Sequence, residues 1–146
     1  MTSLPLLRVV IDTNVVFEGL TKKGGASGVI IDAWLARLIV VCVSNTLANE
    51  YDDVLSRKLA PERWILLKPL LGKLLSIAEY TSIYFSWRPT SPDPGDDLAI
   101  DCTMNASAIV VTSNIKDFRS ARKSLGLRVM TPVEFVNVLV TGEFES

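Results

Sequence analysis

The sequence predicts an α/β fold in three layers, α/β/α, around a central and mostly parallel sheet. Short β-branched runs alternate with helical patterns, which is the signature of parallel strands joined by helical crossovers. A hydrophobic content of 49% over 146 residues excludes a disordered chain and suffices for a full core. Polar residues follow directly on the apolar runs, as they do where strands end at a ligand-binding rim.

The strand-like runs are Leu7–Ile11, Leu38–Val43, Tyr80–Phe85, Ala108–Thr112 and Leu127–Met130, read from β-branched content and length. Helical patterns occupy Val15–Leu20, Gly28–Arg37, Thr46–Lys58, Glu62–Ala78, Asp97–Ala106 and Asp117–Leu125. A last helix opens at Thr131-Pro132-Val133-Glu134, a capping box with proline in the first turn. Pro69 is expected to kink or split the fourth helix, and Trp87–Gly95, with three prolines, to form a rigid loop. There is no repeat and no low-complexity tract, so residues 1–146 read as a single domain.

Composition narrows the chemistry. The chain has no histidine, which removes Ser-His-Asp and Cys-His catalysis and most zinc sites. Carboxylates, hydroxyls, lysine or arginine must carry any reaction. A net charge of -1 argues against tight nonspecific DNA binding, which needs a basic field. The apolar runs are too short to span a bilayer, and the N-terminus does not resemble a cleavable signal. Cys42 and Cys102 could form a disulfide, which a chain of this size does not need, and read rather as buried thiols of a cytoplasmic protein.

The acids are the informative residues. Asp12 interrupts RVVIDTNVVF at the end of the first strand; it reads either as a helix cap or as a ligand. Glu50 falls on the i, i+3, i+4, i+7 stripe of Leu47, Tyr51 and Val54, where a carboxylate needs a partner, either an arginine or a cation. Asp52 and Asp53 fall away from that stripe and read as solvated. In DPGDDLAID, Asp96 and Asp97 suit the first helical turn, but Asp97 and Asp101 form an i, i+4 like-charge pair that a cation would relieve. Asp117 follows the fourth strand and reads as a cap or a further acid. Sequence-distant acids at one rim call for a counter-charge, and no arginine or lysine lies obviously within these motifs. Oxygen donors suit Mg²⁺ or Mn²⁺.

These segments together, IDTNVVFEGL, VSNTLANEYDDVL, DPGDDLAIDCTMNASAIVVTSNIKDF and MTPVEFV, resemble a PIN domain, and more narrowly the prokaryotic PIN toxins of toxin–antitoxin modules related to the VapC type. The resemblance runs from about Val9 to Leu139 and rests on the order and spacing of the motifs. It implies a metal-dependent ribonuclease with an acidic Mg²⁺ or Mn²⁺ pocket. By position Asp12, Glu50 and Asp97 are carried over as catalytic and metal-binding acids, with Asp117 as the fourth. Asn114 stands where the family often has an acid directly at the strand end. Thr13, Asn14, Thr112, Ser113, Asn114, Asp96 and Asp101 are expected around those ligands, holding them in place.

The resemblance also implies an RNA substrate and an antitoxin partner that blocks the acidic pocket; homodimers are usual among such toxins. Lys22 and Lys23 in the glycine-rich KKGGASG, and Lys116 and Arg119 after the fourth strand, are weaker candidates for a substrate rim beside a plain solvated surface. Trp34, Trp64 and Trp87 read as packing residues. Two other readings stand beside the nuclease. An aspartate-nucleophile phosphatase would use Asp12 but has Asn14 where its second aspartate belongs, and a catalytically silent PIN-like domain would only bind a partner.

Overall fold

The computed structural model describes residues 6–86 and 94–143. Its sheet is a three-layer sandwich's middle: five strands, β1 (Arg8–Ile11), β2 (Val40–Val43), β3 (Glu79–Tyr80), β4 (Ile109–Val111) and β5 (Val129–Met130), in the order β3-β2-β1-β4-β5. All four pairings are parallel. Val9, Val10 and Ile11 pair with Ile109, Val110 and Val111, and all six are buried, as expected of strands covered on both faces.

Among the described residues, seven α-helices flank the sheet: α1 (Thr13–Thr21), α2 (Ala26–Leu35), α3 (Asn45–Lys58), α4 (Pro61–Ser76), α5 (Pro94–Ala106), α6 (Arg119–Leu125) and α7 (Pro132–Thr141). A short 3-10 turn, Ile115–Phe118, precedes α6. The chain leaves β1 toward β2 on one side, and β4 lies on its other side. That reversal opens a crevice beyond the strand ends of β1 and β4.

Local chemistry explains the helix ends. Asp12 caps α1, Ser44 caps α3 through the Leu47 N–H, and Thr131 with Glu134 forms the expected capping box on α7. Gly19 lets α1 and α2 touch: a Cβ there would lie 2.5 Å from Ile31 Cγ1 and 2.6 Å from the Ser27 carbonyl oxygen. Among the described residues no helix is long and apolar enough to cross a membrane.

Four sequence expectations change. Pro69 does not split α4, which runs unbroken from Pro61 to Ser76. Pro69 and Ile65, whose carbonyl loses its helical donor, are both exposed, so water can satisfy that carbonyl. The third strand stops at Tyr80 instead of running to Phe85. Beyond the Thr81 N–H bond to the Val43 carbonyl, the segment turns to the Asn105 side chain, which bonds Tyr84 N–H and the Phe85 carbonyl. Helix α5 begins at Pro94 rather than Asp97, so Pro94 and Gly95 belong to it and not to the preceding loop; residues 87–93, with Trp87, lie outside the described residues. Asp117 caps nothing, because it lies within the 3-10 turn and donates its N–H to the Asn114 carbonyl.

Cys42 and Cys102 are free and fully buried. Burial raises both thiols, that of Cys102 to about 12. Burial also lifts the Tyr51 phenol well above its ordinary range, with Cys102, Asp12 and Cys42 adding to the effect. The unfolded chain therefore binds fewer protons than the folded one as pH rises from 9 toward 12, and stability falls across that window. The urea midpoint should be lower at pH 10 than at pH 8, and both thiols should resist iodoacetamide at pH 8 until the chain unfolds. An unchanged midpoint would contradict this account.

Candidate active site

The apolar ladder of β1 ends at Ile11, and the next residue is a buried carboxylate. Asp12 is 2% exposed, and its backbone N–H still belongs to the sheet, donating to the Val111 carbonyl at 2.9 Å. On its side chain, the Thr13 N–H reaches Oδ1 at 2.9 Å, and Thr112 Oγ1 reaches Oδ2 at 2.7 Å. Thr112 Oγ1 also accepts from the Asn114 N–H at 3.0 Å. The cap and ligand readings of Asp12 are thus compatible, since one oxygen caps α1 while the carboxylate faces the crevice.

Helix α3 brings the second acid. Leu47, Tyr51 and Val54 bury its inner stripe, leaving Glu50 half-buried at the edge. The Tyr51 hydroxyl donates to the Ile11 carbonyl, tying the residue after Glu50 to the residue before Asp12. Helix α5 places its acidic first turn at the same crevice. Asp12, Thr13, Asn14, Glu50, Val54, Arg57, Lys58, Gly95 and Asp96 together border a cavity of about 220 Å³.

The predicted residues separate into groups. Asp12, Thr13, Asn14, Glu50 and Asp96 share the cavity. Asp97 and Asp101, further along α5, are 5% and 2% exposed and are not among the cavity-lining residues. Asp117 and Asn114 are half-buried past β4, and Ser113 is exposed. Lys22 and Lys23 border a different cavity, with Arg63 at the α1–α2 turn, and Lys116 and Arg119 are solvent-exposed. A separate cavity of about 510 Å³ between β5 and α7 is bordered mainly by Met130 and valines. Its one acid, Glu134, serves the α7 cap.

Two findings escaped the sequence reading. Arg57 and Lys58 border the acidic cavity, so cations do stand beside the acids. Their spacing of seven and eight residues from Glu50 returns to the same helix face after two turns, and that spacing was the available signal. Thr13 holds Asp12 through its backbone N–H, and the second finding is its hydroxyl. Its Oγ1 is buried and has no hydrogen-bond partner among the described residues, an expensive state for a hydroxyl unless a ligand meets it.

Every potential donor lining the cavity, other than the two cations, presents oxygen, apart from the Asn14 amide nitrogen and backbone N–H groups. Among the described residues, no three or more acids or cysteines are grouped so that they could together hold a metal ion; Asp12, Glu50 and Asp96 border open space. That arrangement fits a hard divalent cation such as Mg²⁺, which takes one or two carboxylates and keeps several waters.

A parallel sheet whose strand order reverses at an acidic crevice defines the class of fold. The chain belongs to the PIN domain family, whose model matches residues 8–116. No curated protein matches the chain. Among solved structures it is similar to VapBC2 from Rickettsia felis bound to a DNA fragment from its promoter, at 16% identity over 86% of this chain and 98% of that one, with a TM-score of 0.62. FitAB bound to the IR36 DNA fragment gives 14% identity, 85% and 94% coverage and a TM-score of 0.57. FitAcB from Neisseria gonorrhoeae gives 13% identity, 86% and 98% coverage and a TM-score of 0.57. These likenesses establish the shared fold.

Replacing Thr112 with valine keeps the shape at the end of β4 and removes the donor to Asp12. We expect a loss of about 1–3 kcal/mol in a urea melt, the cost of a buried acceptor left short of its donor. An unaltered midpoint would show that the Thr112–Asp12 bond does not hold the site.

Proposed function

We propose that this PIN domain is a metal-dependent endoribonuclease that hydrolyses RNA phosphodiester bonds, acting in the cytoplasm as the toxin of a toxin–antitoxin module. The observation that carries this reading is the cavity at the β1–β4 crevice, where Asp12, Glu50 and Asp96 meet the orphaned Thr13 hydroxyl. PIN domains are generally nucleases, and the structural likeness to VapBC2 and FitAB supports an antitoxin as the partner.

Asp12 and Glu50 would hold Mg²⁺ or Mn²⁺, with Asp97 and Asp96 at the start of α5 and Asp117 beyond β4 completing the acidic set. When bound, such an ion makes a water more acidic and offsets charge developing on the phosphoryl oxygens. The protein's own residues do the positioning. Thr112 and the Thr13 N–H fix the Asp12 carboxylate, and Tyr51 fixes α3, hence Glu50, against the end of β1. With no histidine in the chain, a carboxylate is the acceptor for the proton of the attacking water. Asn14 is exposed at the cavity mouth, and the absence of a second aspartate there leaves the phosphatase reading without its usual pair.

The test is cleavage of a panel of folded and single-stranded RNAs by the purified chain, in Mn²⁺ or in EDTA. We expect fragments only with metal, and loss of roughly 100-fold or more in rate for Asp12→Asn and Asp97→Asn. Metal-independent fragments, or full activity in Asp12→Asn, would overturn the site. No cleavage by a wild-type chain that still binds Mn²⁺ would favour a silent binding domain.

A further inference from the structure

Arg57 and Lys58 stand in a cavity whose other charged residues are acids, yet they are not spent on those acids. Neither forms an ion pair with Glu50 among the described residues. The Arg57 Nε donates to Asp53 Oδ2 at 3.0 Å, one turn back on the outer face of α3. That bond orients the guanidinium plane, and its terminal nitrogens make no hydrogen bond with a described residue. The Lys58 Nζ lies 5.4 Å from the centre of the Phe17 ring, a cation–π contact from α1, and pairs with no described acid. Both cations border the cavity, and the groups they touch, Asp53 and Phe17, are not among its lining residues.

Position along α3 sets what they can reach. Seven residues separate Arg57 from Glu50, about 10 Å at the helical rise. A group reacting at the acids therefore lies roughly two helical turns away from the two cations. We propose that Arg57 and Lys58 form a phosphate subsite for the RNA strand, taking a phosphate that adjoins the one to be cleaved. This inference rests on the nuclease reading and adds how a chain of net charge -1 retains a polyanion beside an acidic pocket. Guanidinium and ammonium donors suit that task, since backbone phosphate contacts set register while leaving the base sequence unread.

The test compares wild type, Arg57→Gln/Lys58→Gln and Arg57→Lys. Each is made with and without Asp12→Asn, and anisotropy of a short fluorescein-labelled single-stranded RNA is measured across a salt series. In the Asp12→Asn background, where the RNA stays intact, the double Gln change should weaken binding roughly tenfold or more. It should also lower the slope of log affinity against log salt by about 0.7–1.4, the range for one or two phosphate contacts to a single strand. Arg57→Lys should keep most of that slope. With Asp12 intact, the double change should raise KM more than it lowers kcat. Mn²⁺ affinity should stay level or tighten, since two positive charges leave the neighbourhood of the acids.

An unchanged salt slope, with Asp12→Asn still abolishing cleavage, would overturn the subsite and leave the nuclease intact. Parallel losses of RNA binding, Mn²⁺ binding and melting temperature would assign the pair a structural role instead. A wild-type chain that neither binds nor cleaves RNA would remove the nuclease reading and the subsite with it.

Discussion

A single buried hydrogen bond, from Thr112 Oγ1 to Asp12 Oδ2 at 2.7 Å, joins the ends of the two central strands. It is available because β1 and β4 are parallel and paired in register to their last residues, Ile11 beside Val111. Parallel neighbours finish on the same side of the sheet, so the first polar residue after each strand falls beside the other. A carboxylate at that point is withdrawn from bulk water and needs donors. The chain supplies one from β4 and one from the first turn of α1, while the Tyr51 hydroxyl fixes the Ile11 carbonyl just upstream. The position of Asp12, the start of α1 and the seat of α3 are consequences of one junction.

The cavity that results has two electrostatic halves. Acids come from the end of β1, the middle of α3 and the first turn of α5, while both cations come from the last turn of α3. The basic residues suit the C-terminal end of α3 and the acids of α5 suit its N-terminal end, so these four charges are placed where their own helices favour them. Local helix chemistry and the demands of the cavity therefore do not compete.

Much of this was legible in the sequence because it rests on short-range rules. The strand runs, the parallel sheet, the caps at Asp12 and Thr131 and the buried stripe around Glu50 follow from periodicity and capping alone. What was not legible depends on contacts made at a distance. Pro69 is tolerated because its disrupted carbonyl is on the exposed side of α4, which only the packing decides. The segment after Tyr80 leaves the strand for Asn105, a residue on α5. Arg57 and Lys58 share a cavity with the acids because Gly95 and Asp96, distant in sequence, close its other side. Thr13 bonds Asp12 through its N–H, while the burial of its hydroxyl without a described partner depends on packing that no local rule signals.

On the proposed function, Asp12 and Glu50, separated in sequence and joined through the Tyr51–Ile11 contact, act on one ligand. Mn²⁺ affinity measured by calorimetry for wild type, Asp12→Asn, Glu50→Gln and the double variant tests this directly. Two ligands of one ion should be strongly non-additive, the double variant losing little beyond the worse single one. Fully additive losses, or Mn²⁺ binding unaffected by either change, would contradict a shared site.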